Sequence, residues 1–86
     1  MADLTVNVVS ADEQVWSGQA RMVVARTRVG EIGVLAGHQP LLGVLAAGEV
    51  RITAVDGGRV TASAEDGFIS VENDTVTIAA RAARLV

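Results

Sequence analysis

Few residues in this chain could do chemistry, and they are scattered. There is no cysteine, a single histidine (His38), and ten acidic residues that mostly stand singly. A thiolate nucleophile, a disulfide and a thiolate metal site are therefore excluded. A metal site would have to be built from clustered carboxylates, which the sequence does not offer. His38 has neither an acid nor a nucleophile beside it, so a loop or interface role is favoured over a catalytic one.

Two further patterns have a chemical and a structural interpretation. Asp12 and Glu13 are adjacent acids, and such a pair is usually a solvated corner rather than an acid–base couple. The glycines in segments 30–33 and 37–38 suggest a phosphate loop, but the Lys-Ser/Thr that must follow is missing. Gly33 and Gly37 are therefore interpreted as structural glycines. We predict no catalytic residue, no cofactor, no metal site and no nucleotide binding.

Length and composition point to one small domain over residues 1–86. Half of the residues are apolar, mostly Val and Ala, which suits a thin, closely packed core. The seven basic residues are all arginine and the net charge is −3, so nucleic acid is not an expected partner. No apolar run reaches the roughly 20 residues that cross a bilayer, and no signal peptide is apparent. Direct membrane insertion is not expected, and a cytoplasmic location is favoured.

Alternation of apolar and polar residues dominates the sequence and predicts an all-β fold. Five segments carry it, namely 4–8, 49–53, 59–65, 68–72 and 75–80. Turn-forming residues separate them every 8–12 residues or so, including Asp56-Gly57-Gly58, Asp66-Gly67 and Asn73-Asp74. Residues 79–86 alone favour a helix, although they are too few to hold one by themselves.

One segment does not fit an ordinary sandwich strand. Residues 29–43 contain the only histidine, the only proline and two consecutive leucines among several glycines. Pro40 lacks an N–H group and must lie at a strand start or a sheet edge. Leu41 and Leu42 then point to opposite faces, so one of them is expected to be exposed unless a partner covers it.

This segment resembles the epsilon subunit of F-type ATP synthase. Residues 30–34 (GEIGV) and 37–42 (GHQPLL) are similar to the central signature of that family. The flanking motifs agree in order and spacing over nearly the whole chain: VVSA at 8–11, VWSG at 15–18, GEVRI at 48–52, GFISV at 67–71 and VTIA at 76–79. The resemblance implies a flattened antiparallel β-sandwich of about ten short strands.

The resemblance also implies a function. Members of the family are non-catalytic rotor subunits at the foot of the central stalk. They join the gamma subunit to the polar loops of the c-ring, so that proton translocation is coupled to ATP synthesis. The expected location is the cytoplasmic face of the bacterial plasma membrane, as a peripheral part of the complex.

The site residues implied by the resemblance form two sets. The set expected to face the c-ring is Gly30, Glu31 and His38. The set expected to face gamma is Ser10, Pro40, Leu41 and Leu42. The structural alternative is a solvated hairpin-tip acid for Glu31 and ordinary turn and core packing for the others.

Two departures from the family pattern bear on these expectations. Leu35-Ala36 stands where relatives often have a proline, so the loop before His38 is expected to be less rigid. The chain stops at Val86, where family members continue into a helical hairpin, so no C-terminal helical domain and no inhibitory brake are expected. The alternative function is a free-standing β-sandwich ligand-binding module. Such modules usually stack their ligand on an aromatic platform, and the two aromatic residues, Trp16 and Phe68, are few for building one.

Overall fold

A computed structural model describes residues 3–11 and 13–86, and its regular elements are all β-strands. The strands are β1 (Leu4–Ser10), β2 (Glu13–Thr27), β3 (Gly30–Leu35), β4 (Leu41–Val44), β5 (Gly48–Ala54), β6 (Arg59–Glu72) and β7 (Thr75–Leu85). The all-β prediction is confirmed. Asp12, predicted with Glu13 as a solvated corner, lies outside the described residues, whereas Glu13 begins β2.

Backbone pairing closes the strands on one another. The hydrogen-bonded order is β1-β7-β6-β5-β2-β3, β1 also pairs with β2, and β4 pairs with β6. All pairs are antiparallel except β1 and β7, which run parallel. The expectation of a wholly antiparallel sheet therefore fails at one pair. β1 lies between β2 and β7, antiparallel to the first and parallel to the second, and so completes the closure.

Three long strands serve both layers of the sandwich. β2 pairs with β1 along residues 13–20 and with β3 and β5 along residues 20–27. β6 pairs with β5 in its first half and with β4 in its second, and β7 follows it along both halves. Over the described residues, seven strands form the two layers, whereas the resemblance implied about ten short strands.

The core is made of small and β-branched side chains from the inner faces of both layers. Its largest fully buried members are Leu4, Ile52, Ile69 and Ile78, packed with seven valines. Neighbouring strands bring inward rows together, such as Val34, Val23 and Ile52 across β3, β2 and β5. Apart from Val23 and Val34, these are positions that the alternating segments marked as apolar, so the one-sided burial predicted for those segments is confirmed.

Residues 79–86 favour a helix by local propensity but do not form one. Those residues extend β7, which pairs with β6 as far as the Leu85–Ala62 register. Val86 adds a backbone hydrogen bond from its N–H to the carbonyl of Thr61 (2.9 Å). Pairing along a neighbouring strand outweighs the weak helix propensity of a short alanine-rich segment. Among the described residues there is no helix long and apolar enough to cross a membrane.

The predicted turn at Asp66-Gly67 is instead a kink inside β6. Asp66 has a left-handed backbone (φ 59°) and the β6–β7 register continues on both sides of it. A Cβ at Gly67 would lie 2.0 Å from the carbonyl oxygen of Ala79, so only glycine fits. The kink lies where β6 passes from its pairing with β5 to its pairing with β4.

The connections cluster at two opposite ends of the sandwich. At one end, here called the hairpin end, the β2–β3 turn lies beside residues 45–47 and the β6 kink. Backbone bonds join these parts, from Ala46 N–H to the Arg26 carbonyl (3.0 Å) and from Leu45 N–H to the Gly67 carbonyl (2.9 Å). At the other end, here called the loop end, lie residues 36–40, 55–58 and 73–74. The candidate site residues are located by the end at which each one lies.

Candidate interaction surfaces

The hairpin end carries Gly30 and Glu31. The turn itself is Arg28-Val29, and the Thr27 hydroxyl donates to the Gly30 carbonyl (2.7 Å) across it. Gly30 has a positive φ of 132°, a conformation that favours glycine. Glu31 was expected in the turn but is the second residue of β3, opposite Arg26. The turn instead presents Val29, whose surface is 95% exposed.

Glu31 is already engaged in an ion pair. Its Oε2 accepts a hydrogen bond from Nη2 of Arg51 at 2.9 Å, with both side chains a little over half exposed (56% and 57%). Arg51 belongs to β5, so the pair reaches over β2 on the outer face of this layer. Arg26 and Glu49 lie on the same concave patch. Charges of both signs therefore alternate there, and Glu31 does not offer a lone carboxylate.

His38 lies at the loop end. Its backbone N–H donates to the Leu35 carbonyl (3.1 Å), and its Nδ1 lies 2.7 Å from the Gln39 carbonyl oxygen. The preceding Gly37 has a φ of 85° and donates its N–H to Oδ1 of Asp74 (2.7 Å). The loop bearing His38 is thus tied to the β6–β7 turn through the backbone of Gly37.

The structure separates Glu31 from His38, which the sequence had placed on one rim. β3 runs from Gly30 to Leu35, so Glu31 lies at its start and His38 beyond its end. At about 3.3 Å per residue, the strand alone puts about 13 Å between Glu31 and Leu35. One flat partner surface would meet both residues only by lying along β3.

The residues expected to face gamma are also spread out. The Ser10 hydroxyl accepts a hydrogen bond from the N–H of Ala83 (3.1 Å), which ties β1 to the end of β7. Pro40 is exposed, Leu41 packs against the core, and Leu42 is 74% exposed. Leu42 is therefore the member of this set with a large apolar surface for a partner. Ser10 lies across the layer from it, at the hairpin end.

An apolar stripe on the outer face of the β4–β6–β7–β1 layer was missed by the sequence analysis. Register places Val44 opposite Phe68, Phe68 opposite Ala79, and Ala79 beside Val9. Val44 and Phe68 are exposed by 55% and 46%. The available signal was Phe68, a large aromatic residue on the polar side of its alternation. We call these four residues, with Leu42, the outer stripe.

A groove between the edges of β3 and β4 was also not foreseen. Its wall is mainly apolar, and its lining residues are Thr27, Arg28, Val29, Ile32, Leu41, Leu42, Gly43 and Val44. Arg28 is the charged residue among them. We call this feature the β3–β4 groove. Within residues 3–11 and 13–86, no group of three His, Asp or Glu side chains is arranged to hold a metal ion.

Comparison with solved structures identifies the fold. A chain in the Euglena gracilis mitochondrial ATP synthase, solved as an OSCP/F1/c-ring assembly in rotational state 1, superposes with a TM-score of 0.92 at 26% identity. The match covers 99% of this chain and 54% of that one. A chain in the central stalk and c-ring of the Tetrahymena thermophila mitochondrial ATP synthase has a TM-score of 0.75 at 16% identity. It covers 95% of this chain and 66% of that one, and shows the fold alone.

Sequence comparison identifies the family. The ATP synthase epsilon chain of Micrococcus luteus is 55% identical over 85 residues, covering 99% of this chain and 93% of that protein. The ATP synthase epsilon chain of Streptomyces coelicolor is 52% identical, covering 98% of this chain and 68% of that protein. The family model for the β-sandwich domain of ATP synthase delta/epsilon chains matches residues 3–86. This chain belongs to that family.

Proposed function

We propose that this chain is a non-catalytic rotor subunit in the central stalk of an F-type ATP synthase. It joins the gamma subunit to the c-ring and so couples proton translocation to ATP synthesis. The identity with bacterial ATP synthase epsilon chains over nearly the whole chain carries the proposal. The location follows from it: the cytoplasmic face of the bacterial plasma membrane, reached through the complex and without insertion.

Mechanical stiffness supports this role. A subunit that transmits torque must not deform between its two contacts. Here β1, β7, β6, β5 and β2 form a closed ring of paired strands, and three of them pass through both layers. Shearing one layer against the other would break backbone hydrogen bonds along those shared strands.

The gamma contact is proposed on the outer stripe. A permanent contact within a rotor favours buried apolar area, and Leu42, Val44 and Phe68 offer it on one outer face. Pro40 lies just before β4, Leu41 begins that strand, and Ser10 borders the same layer at its far end. Pro40, Leu41 and Ser10 remain in the proposed gamma-facing set because they support that layer.

The c-ring contact is proposed at the hairpin end, through Gly30 and Glu31. Charge-assisted hydrogen bonds of Glu31 to ring loops would add about 1.5–3 kcal/mol when well formed, less the cost of giving up Arg51. His38 also remains a proposed ring contact. Because it lies at the loop end, it would meet a different part of the partner from Glu31.

Affinity capture tests the proposal. Tagged chain is recovered from detergent-solubilised bacterial membranes, and the proteins that accompany it are identified by mass spectrometry. We expect gamma and c subunits in stoichiometric amounts. Phe68→Asp should lose gamma, whereas Arg59→Glu, an exposed charge change away from the stripe, should keep it. A folded chain that captures neither subunit would refute the proposal, and the ligand-binding module would then be the remaining candidate function.

A further inference from the structure

We propose that the open edge of β3, with the β3–β4 groove beside it, docks an extended segment of a partner polypeptide. The segment would add to the sheet as a further strand and place an apolar side chain in the groove. The partner is another subunit of the same enzyme, so the inference rests on the proposed function. It adds a surface that borders the outer stripe and shares Leu42 and Val44 with it.

The backbone of β3 has unpaired groups along its outer edge. In the part of the chain that the structure describes, β3 pairs with β2 alone. Backbone bonds from Arg28 N–H to the Val44 carbonyl and from Ala46 N–H to the Arg26 carbonyl turn Arg26 and Arg28 away from β3. Alternation then turns Thr27, Ala25 and Val23 toward β3, where they meet Gly30, Ile32 and Val34.

The remaining residues of β3 therefore point their backbone groups outward. They are Glu31, Gly33 and Leu35. Within residues 3–11 and 13–86, the Leu35 carbonyl is the one group among these with a backbone partner, the N–H of His38. The open groups recur at the spacing of a strand. Among polypeptide partners, an extended backbone satisfies such a row, whereas a helix has already used its own N–H and C=O groups.

Gly33 lies at the centre of this edge, and the fold does not require glycine there. A Cβ at Gly33 would meet no atom within 4 Å. Glycine inside a strand weakens it, and often marks a place where another backbone approaches closely. The space over this face of Gly33 is therefore left open by the domain itself.

The groove adds side-chain recognition. Ile32 is half-buried against the core and forms one wall, and Leu41 and the exposed Leu42 form the other. In an added strand, the residue beside Ile32 would point the same way and enter the groove. Arg28 lies at the hairpin end of the groove, and the salt bridges among the described residues use Arg51 and Arg81 instead. The segment should therefore carry an acidic residue near Arg28.

A second copy of this chain fits the edge less well. Two β3 strands paired antiparallel about Gly33 would bring Glu31 of each against Leu35 of the other. That register sets a carboxylate beside an apolar side chain twice. It also places Val34 beside Ile32, and Val34 is fully buried in the core of its own copy, so it is not free to enter the groove. A heterologous segment with alternating apolar residues meets neither difficulty.

Hydrogen–deuterium exchange tests strand addition directly. Exchange is followed in peptides covering residues 30–36, in the free chain and in the chain within purified, detergent-solubilised ATP synthase. We expect the Gly33 and Leu35 amides to exchange at least tenfold more slowly in the complex. The amide of Ile32, already paired with β2, provides the internal reference.

Matched variants distinguish a partner strand that pairs with β3 from a partner that only covers this edge. Gly33→Pro removes an outward N–H that no ladder bond uses, and Gly33→Ala retains it. Each variant competes with wild type for incorporation into the enzyme. Incorporation should fall at least tenfold for the proline variant and less than threefold for the alanine variant. Arg28→Glu should likewise be incorporated less than wild type, whereas Arg59→Glu, the same change of charge away from the groove, should not. Thermal unfolding checks each free variant, and if the proline variant does not fold, the exchange result decides.

Each remaining outcome is decisive. If the chain assembles with gamma and the c-ring while Gly33 exchanges as in the free chain, the strand inference is wrong and the proposed function stands. If the protection survives Gly33→Pro, a face contact rather than a strand covers the edge. If the isolated chain dimerises with Gly33 protected, the occupant is a second copy. If no ATP synthase subunit is captured, both proposals fall.

Discussion

Glu31 and Arg51 form an ion pair that crosses a whole strand. Nη2 of Arg51 on β5 donates to Oε2 of Glu31 on β3 at 2.9 Å, although β2 lies between the two strands. Both side chains are more than half exposed, so water and salt weaken the pair. A partner that binds Glu31 must therefore compete with Arg51, and this gives the proposed ring contact a test.

Neutralising Glu31 should affect docking more than folding. Glu31→Gln should change the free energy of unfolding by less than about 1 kcal/mol, because exposed ion pairs contribute little. Docking to purified c-ring should weaken by about tenfold, as expected for the loss of one charge-assisted hydrogen bond. Urea unfolding and surface plasmon resonance measure the two effects.

Arg51→Gln is the matched control for that experiment. It breaks the same ion pair but leaves the carboxylate of Glu31 free. Docking should be unchanged or tighter, in contrast to Glu31→Gln. Equal losses from both variants would show that the pair acts as a unit and that Glu31 alone is not the contact. His38→Ala should add independently to Glu31→Gln, because the residues lie at opposite ends of β3.

A second prediction concerns the loop that presents His38. Asp74 accepts the Gly37 N–H (2.7 Å) from a left-handed backbone position (φ 59°). Asp74→Gly removes the acceptor without straining that backbone, and should cost about 1 kcal/mol. Asp74→Asn keeps an oxygen acceptor and tolerates the same φ, so it should be nearly neutral. Amide exchange at Gly37, measured by NMR, should rise at least threefold in the glycine variant only. An equal rise in the asparagine variant would contradict this account.

The fold was largely predictable because burial is one-sided. Each alternating segment lies in a strand with its apolar residues turned inside, as with Ile69 and Val71 on β6. The failures have local causes. Residues 79–86 pair with β6, and Asp66-Gly67 kinks a strand instead of ending it. In both places long-range pairing outweighed a local preference that the sequence displays.

The surfaces were less predictable because they depend on which strands become neighbours. The Glu31–Arg51 pair requires β5 to lie next to β2, and the outer stripe requires β4 to pair with the second half of β6. Neither adjacency can be read from spacing along the chain. One exposed leucine after Pro40 could be predicted, because consecutive strand residues face opposite sides, but the structure was needed to show that it is Leu42.

A third prediction contrasts a core residue with a surface one on neighbouring strands. Ile69 is fully buried on β6, so Ile69→Ala should cost about 2–5 kcal/mol and lower the thermal midpoint accordingly. Leu42 on β4 is 74% exposed, and Leu42→Ala should cost less than about 1 kcal/mol while reducing gamma capture. Calorimetry and affinity capture on the same two variants check both statements. A large loss of stability in Leu42→Ala would show that β4 is held by that side chain and would remove Leu42 from the gamma-facing set.

Two glycines should respond in opposite ways to the same substitution. At Gly67 an added Cβ would lie 2.0 Å from the Ala79 carbonyl oxygen and 2.5 Å from Cα of Ala80, both backbone atoms that cannot turn aside. Gly67→Ala should therefore cost at least about 3 kcal/mol, because β6 and β7 must separate at the kink. At Gly33 the same Cβ meets open space, and Gly33→Ala should be neutral or slightly stabilising, since alanine reduces the freedom of the unfolded chain. Chemical denaturation of the two variants side by side measures both effects. Similar costs at the two positions would mean that the space above Gly33 is needed within the isolated domain, and would weaken the case for a partner strand there.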